Sequence, residues 1–455
     1  MTENSGKYDL PAVPDAAENL SNIKNDEDLQ AKISEVQTKK DAHGQKERFL
    51  ELEKTIHDFL KKQDSDNALT IITKGALALG SSDIHYDQSE HETKVRLRID
   101  GALETVATLS RVEYKLLLER LKYKSDLKLN IHHIPQDGKY RITDDSEKID
   151  VRVSTLPVQY GENMVCRILD SSRAIPSVDE LGFMWTAKRQ VEKSLKKKNG
   201  TILVTGPTGS GKTTTLYSML STLNTTDRKI ITLEDPIEYE LPGVVQSEVD
   251  DKSGYTYGSG LKALMRQDPD IIMIGEIRDL DSATIAMQAA MTGHLVLSTL
   301  HTKSASETIE RLMNMGVPNY ILASGLDVII AQRLIRRICP HCREAYEADP
   351  SEVDIIKYMM RDIGIPGLAN RKNNYTLYRA KGCEHCGMTG YQGRIGVYEV
   401  MNFTDEIRAS IRNGSSPKEI IEIARKGDLM LMREDGILKA MQGKTSLEEL
   451  FKIIE

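Results

Sequence analysis

Short apolar runs punctuate the second half of the chain. "GTILVTG" (200–206), "KIITLED" (229–235), "DIIMIGE" (270–276) and "HLVLSTL" (294–300) are rich in Val, Ile and Leu, and each leads into turn or helix signals. Continuous rather than alternating hydrophobicity marks strands covered on both faces, so the region from about 186 onward reads as an α/β domain with a largely parallel sheet. Upstream the period changes. "ALTIITKGALALG" (68–80) and "EYKLLLERLKYKSDL" (113–127) have helical spacing. "TKVRLRIDGAL" (93–103) alternates and turns at Asp100-Gly101, and "DGKYRI" and "IDVRVSTLPV" read as further strands. Residues 67–170 thus form a small α+β domain. The Pro- and Ser-containing segment 171–185 reads as a linker. Residues 1–66 are a polar tail expected to be flexible. It holds a possible helix in which Phe49, Leu52, Ile56, Phe59 and Leu60 make a stripe that lies on its own protein or meets a partner. From about Thr404 the chain is helical, and no repeat of fixed period is visible.

With 455 residues, two or three domains are expected. The net charge of -7 supplies no basic footprint for bulk nucleic-acid binding. No run of 18 apolar residues occurs, and the N-terminus has neither a basic start nor an apolar stretch, so the expected location is the cytoplasm.

"GPTGSGKTT" contains the chemistry. Gly206, Pro207, Thr208, Gly209, Ser210, Gly211, Lys212, Thr213 and Thr214 follow a strand and open a helix, the context that makes G-x-x-x-x-G-K-[ST] a phosphate-binding loop. Its backbone N–H groups can curl around phosphates, Lys212 suits the β- and γ-phosphates of ATP, and the Thr213 hydroxyl suits Mg²⁺. Hydrolysis also needs carboxylates at strand ends. Glu276, after Gly275, takes the metal-supporting position, and Glu238 in "TLEDPIEYE" is the candidate that orients the attacking water. His294 and His301 flank the "LVLSTL" strand and are candidates to sense phosphate.

Cys166 lies in "NMVCRIL" and reads as a small buried hydrophobe. Cys339 and Cys342 in "CPHC", with Cys383 and Cys386 in "CEHC", make two C-x-x-C knuckles about forty residues apart, a Cys₄ set suited to Zn²⁺. Redox chemistry is the rival, but no thioredoxin-like βαβ pattern surrounds either pair.

These stretches, in this order, resemble the type II secretion and type IV pilus assembly ATPases. "LEDPIEY" resembles that family's Asp box, "IIMIGEIRD" its atypical Walker B and "TGHLVLSTLHT" its His box; the likeness extends from "SDIHYD" and "RLRIDG" to "MREDGILKAMQGKTSLEEL", about residues 67–455. The resemblance implies a RecA-like ATPase domain preceded by a PAS-like domain, and a homo-hexamer acting on an inner-membrane platform protein. Attachment to the membrane would be peripheral, through partners. It implies that Glu238 prepares the water, that Glu276 serves the metal, and that both histidines approach the nucleotide. It also implies that arginines of the small domain, with Arg96, Arg98, Arg111 and Arg120 as candidates, help neutralise phosphates bound by a neighbouring copy. Tetracysteine insertions are common in the extension and secretion members and absent from retraction members, so the module favours assembly. A longer N-terminal domain usually docks these proteins; only about 65 residues precede the core here, which places that docking mode in question.

The reading is therefore a hexameric ATPase that turns ATP hydrolysis into mechanical work for pilus assembly or protein secretion. The alternative is a DNA-translocating or conjugation ATPase, for which "KSLKKKNG" (193–200) is the best basic run. A non-catalytic nucleotide-dependent scaffold is the third option, opposed by the complete Lys212, Glu238 and Glu276 set.

Overall fold

A computed structural model describes residues 45–143, 148–170, 175–360, 375–427 and 429–454. Most of the expected tail, residues 171–174 of the expected linker and residues 361–374 of the cysteine module lie outside the described residues. The chain forms two compact units that divide near residue 168.

The first unit opens with helices α1 (Gln45–Lys61) and α2 (Ser65–Ala78). Helix α1 buries Leu52, Ile56, Phe59 and Leu60, so the apolar stripe of the polar N-terminal region lies on its own protein. Strands β1 (Ser81–Gln88), β2 (Glu92–Ile99), β3 (Ala102–Ser110), β4 (Gln136–Thr143), β5 (Lys148–Val158) and β6 (Gly161–Asp170) make one sheet in the order β3-β2-β1-β6-β5-β4. Helix α3 (Arg111–Lys124) follows β3 and is capped by a Ser110–Glu113 capping box. The β2–β3 hairpin turns through Asp100 and Gly101, both at positive φ, the conformation that favours Gly and tolerates Asp. Cys166 is fully buried in β6 and packs as an apolar residue.

The second unit is the α/β domain expected from the sequence. Its strands are β7 (Gly200–Thr205), β8 (Ile230–Glu234), β9 (Val245–Glu248), β10 (Ile271–Ile274), β11 (Leu295–Leu300), β12 (Leu326–Ile338) and β15 (Tyr391–Asn402), in the order β15-β12-β7-β11-β10-β8-β9. All neighbours from β12 to β9 are parallel, and β15 closes the β12 edge antiparallel. Successive side chains serve opposite faces. Ile202, Val204, Met273 and Leu297 meet α4 (Trp185–Leu195) and α5 (Lys212–Leu223). Leu203, Ile272, Ile274 and Val296 meet the other layer: α6 (Tyr257–Leu264), α7 (Leu280–Met291), α8 (Ala305–Asn314) and α9 (Asn319–Gly325).

The cysteine module leaves β12 and returns in β15. It contains the two-stranded β13 (Arg343–Glu347) and β14 (Thr376–Ala380) with α10 (Pro350–Met360). The segment between the knuckles reads as polar in sequence, yet it carries apolar residues that are buried. Val353, Ile356 and Leu377 of the module pack with Ile437, Leu438 and Leu450 of the C-terminal helices, so it shares an apolar core with them. Four helices complete the chain: α11 (Asp405–Arg412), α12 (Pro417–Lys426), α13 (Met432–Met441) and α14 (Leu447–Ile454). No described helix is long and apolar enough to cross a membrane.

Candidate functional site

Strand β7 ends inside the sheet, and the chain must turn sharply to begin α5. Gly211 holds the last position before the helix at φ +84°, and no side chain caps the helix there. The first-turn N–H groups therefore have no side-chain acceptor and point from the helix start, where the dipole favours anions. At Gly206 the constraint is space: a Cβ would stand 2.5 Å from the carbonyl oxygen of Gln332. Gln332 also braces the loop through its side chain. Its Nε2 donates to Ser210 O (2.6 Å), and its Oε1 accepts from Thr215 (2.8 Å). Pro207, Thr208, Gly209 and Thr213 face solvent, and Thr214 is half-buried.

Lys212 folds back over this loop, donating to Gly206 O (2.9 Å) and Pro207 O (3.1 Å). Burial pushes its ammonium down to about 8; Glu276 opposes that shift and Arg333 adds to it. Glu276 is thus within electrostatic reach of Lys212. Its backbone is fixed on both sides, since Gly275 N bonds to Leu233 O (2.8 Å) and Ile277 N to Thr299 O (2.9 Å). Its carboxylate lies between Arg278 and His301 Nε2 (3.2 Å), and Arg278 reaches Asp235 at 3.1 Å. Asp235, Arg278, Glu276 and His301 form a chain of polar contacts across the ends of β8, β10 and β11.

Glu238 is half-buried in the loop after the cis Asp235–Pro236 bond. Glu234, on the same stretch, is buried and bonded to Tyr217, Thr232 and Gln246, a structural network rather than a reactive acid. The histidines are separated. His301 follows the C-terminal end of β11, beside Glu276. His294 precedes its N-terminal end, and its Nδ1 lies 3.0 Å from Ala289 O. Since Leu295 pairs with Gly200 and Leu300 with Thr205, His294 lies at the edge opposite the phosphate loop. Seven strand residues span about 23 Å. The expectation that both histidines approach one nucleotide is corrected for His294 within one chain, because the strand between them points straight across the sheet.

In the first unit, Arg96 pairs with Asp87 (2.6 Å), Arg98 with Asp83 (3.6 Å) and Arg120 with Asp66 (2.6 Å). Arg111 is exposed at the start of α3. Inside the same unit Lys122 and Glu162 form a buried pair at 2.6 Å, with His132 2.5 Å from the same carboxylate.

The four cysteines converge. Cys339 and Cys383 sulfurs are 3.9 Å apart, Cys342 and Cys386 3.8 Å, and Cys383 and Cys386 3.7 Å, with all four within 4.8 Å. A tetrahedron of 2.3 Å zinc–sulfur bonds has edges of about 3.8 Å. Although burial opposes ionisation of Cys386, backbone N–H groups of Cys383 and Gly390 hold its thiol below the ordinary value. The donor set fits a structural metal. His341 and His385 stack on each other, ring centroids 4.2 Å apart, and are exposed.

Sequence reasoning missed Gln332, Arg278 and Arg333. A polar "QR" pair interrupting the apolar run of β12 was the available signal.

Residues 61–452 match the family described as Type II/IV secretion system protein. The type IV pilus assembly ATPase PilB of Pseudomonas aeruginosa is 45% identical over 379 residues, 83% of this chain and 65% of that protein. Type II secretion system protein E of the same organism is 41% identical over 399 residues, 87% of this chain and 77% of that one. PilB of Thermus thermophilus is 40% identical over 92% of this chain, which spans 46% of that longer protein. Among solved structures, the Legionella pneumophila ATPase DotB aligns with a TM-score of 0.61 at 21% identity, covering 85% of this chain and 95% of DotB, a likeness of fold. The pilus retraction motor PilT, solved with bound ADP, aligns at 0.55 and 27% identity, covering 84% and 95%.

Proposed function

We propose that this chain, which belongs to the type II/IV secretion system protein family, is a Mg²⁺-dependent ATPase that performs mechanical work in assembling a pilus or exporting protein. The observation that carries the reading is the position of Glu276, held between Arg278 and His301 and within electrostatic reach of Lys212 at the phosphate loop. Lys212 and the N–H groups of the loop would hold the β- and γ-phosphates. Thr213 and Glu276 would support the metal, which neutralises charge on the transferred phosphoryl group. Glu238 orients the attacking water. His301, its Nε2 3.2 Å from the Glu276 carboxylate, is the histidine we assign to sensing the terminal phosphate; His294 has no part in this chain's own site. The Cys₄ module would hold zinc, and its presence favours assembly over retraction.

In a ring of six copies, Arg96, Arg98, Arg111 and Arg120 are candidates to neutralise phosphates held by a neighbour. Membership of the family supports an inner-membrane platform protein as partner and a peripheral place at that membrane. DNA translocation is not favoured: the basic run near 193–200 is partly consumed by an ion pair from Lys197 to Asp327, and the chain is acidic overall.

The test is steady-state phosphate release by the full chain with Mg²⁺. Lys212→Ala and Glu276→Gln should each reduce turnover at least about a hundredfold, as expected when an electrostatic element of the transition state is removed. Glu238→Gln should do the same while nucleotide still binds. Unchanged turnover in Glu276→Gln removes the reading, and unchanged turnover in Glu238→Gln removes Glu238 from it.

A further inference from the structure

Arg333 is a half-buried cation without an anionic partner among the described residues, beside the phosphate loop. Strand β12 runs parallel to β7 until Ala331 pairs with Thr205, the last residue of β7. Beyond that level β7 becomes the loop while β12 continues, so Gln332 and Arg333 pass alongside it. Their side chains leave opposite faces. Gln332 turns to Thr215 on α5. Arg333 turns to the other face, where the charges of Glu307 and Glu399 reach it without forming an ion pair.

The guanidinium is close to the phosphate-binding groups. Its Nη1 donates to Gln332 O at 3.2 Å, the same carbonyl that would stand 2.5 Å from a Cβ at Gly206. Gly206 O in turn accepts from Lys212 Nζ at 2.9 Å. Other half-buried arginines of this unit are neutralised: Arg336 by Glu449, Arg425 by Glu434. Among the described residues Arg333 has no such partner. Burial lowers its affinity for the proton, and its charge adds to the lowering at Lys212. The two cations repel each other, and the carboxylates whose charges reach them, Glu276 at Lys212 and Glu307 with Glu399 at Arg333, form no ion pair with either among the described residues. An anion with several oxygens that touches both relieves the repulsion and gains charge-assisted hydrogen bonds.

We infer that Arg333 binds the phosphates of the nucleotide held by its own chain, as a second cation beside Lys212. This rests on the reading of the loop as an ATP site, and deepens it. Such an arginine acts in cis, and is distinct from the first-unit arginines proposed for a neighbour's nucleotide.

The test is displacement of a fluorescent ADP analogue from the full chain with Mg²⁺ by ATP, ADP and inorganic pyrophosphate. Arg333→Gln should weaken ADP and pyrophosphate each by about tenfold, the size of one hydrogen bond to a charged group. Arg333→Lys should recover most of that loss, and the ligand-free melting temperature should hardly move in either variant. Unchanged pyrophosphate affinity in Arg333→Gln overturns the assignment, because a base-free ligand reports only the phosphate contact. A loss that lysine fails to rescue and that comes with a lower melting temperature overturns it as well, since that marks packing. If the unsubstituted chain binds no nucleotide, the ATPase reading falls and this inference falls with it. If it binds normally and Arg333→Gln binds equally well, only this inference is lost.

Discussion

Raising the pH should weaken nucleotide binding through Lys212. The residue is 9% exposed, and burial pushes its pKa down to about 8 from the ordinary 10.5. At pH 7 about nine in ten Lys212 side chains are charged; at pH 9 about one in ten. Phosphate oxygens stabilise the charged form and raise the pKa again in the complex. Affinity should therefore fall about tenfold from pH 7 to pH 9, and binding near pH 8 should take up about half a proton. The sign for stability is the reverse. A lysine whose folded pKa lies below its unfolded value costs stability, fully below about pH 8, and the cost fades as pH rises towards 10.5. The difference between 10.5 and about 8 corresponds to about 3 kcal/mol. Lys212→Met should then stabilise the free protein by about 1–3 kcal/mol at pH 7, less what the Gly206 and Pro207 carbonyls lose, while abolishing nucleotide affinity. Fluorescent-nucleotide titration at pH 7, 8 and 9, calorimetry in buffers of different ionisation enthalpy and urea unfolding measure these effects. An affinity that stays flat to pH 9 with no proton uptake refutes the reasoning.

Two further outcomes follow from the structure. Lys122→Met leaves the Glu162 carboxylate buried beside only His132, and should cost about 3–5 kcal/mol in urea unfolding, whereas Lys122→Met with Glu162→Leu should recover much of that loss; equal stability of both variants would contradict it. The purified chain should carry about one zinc, released by mercurial titration of the thiols, and Cys342→Ser should lose the metal and expose the segment around 339–386 to protease. Metal content far below one per chain would remove zinc from the module.

Local pattern decided a great deal. The continuous apolar runs marked β7, β8, β10 and β11, because a strand covered on both faces cannot tolerate alternation. The Gly-rich turn marked the phosphate loop, because a turn that offers its N–H groups to an anion must avoid Cβ atoms at Gly206 and Gly211. The two knuckles marked the four-cysteine cluster, because C-x-x-C brings two sulfurs together in one short turn. All of these are short-range statements about backbone conformation and burial.

Convergence was another matter. His294 and His301 look alike in the sequence, yet the direction of β11 sends one to the phosphate loop and the other to the far edge. Glu234 ends β8 and Glu276 follows β10, but it is Glu276 whose charge reaches Lys212, since Tyr217, Thr232 and Gln246 enclose Glu234. Gln332 and Arg333 stand more than a hundred residues from Gly206 and reach it because β12 lies next to β7. Residue types and local turns are written in neighbouring positions. Which side chains share a site depends on strand order and direction, set by burial of both sheet faces across the whole domain, and only the tertiary structure decides that.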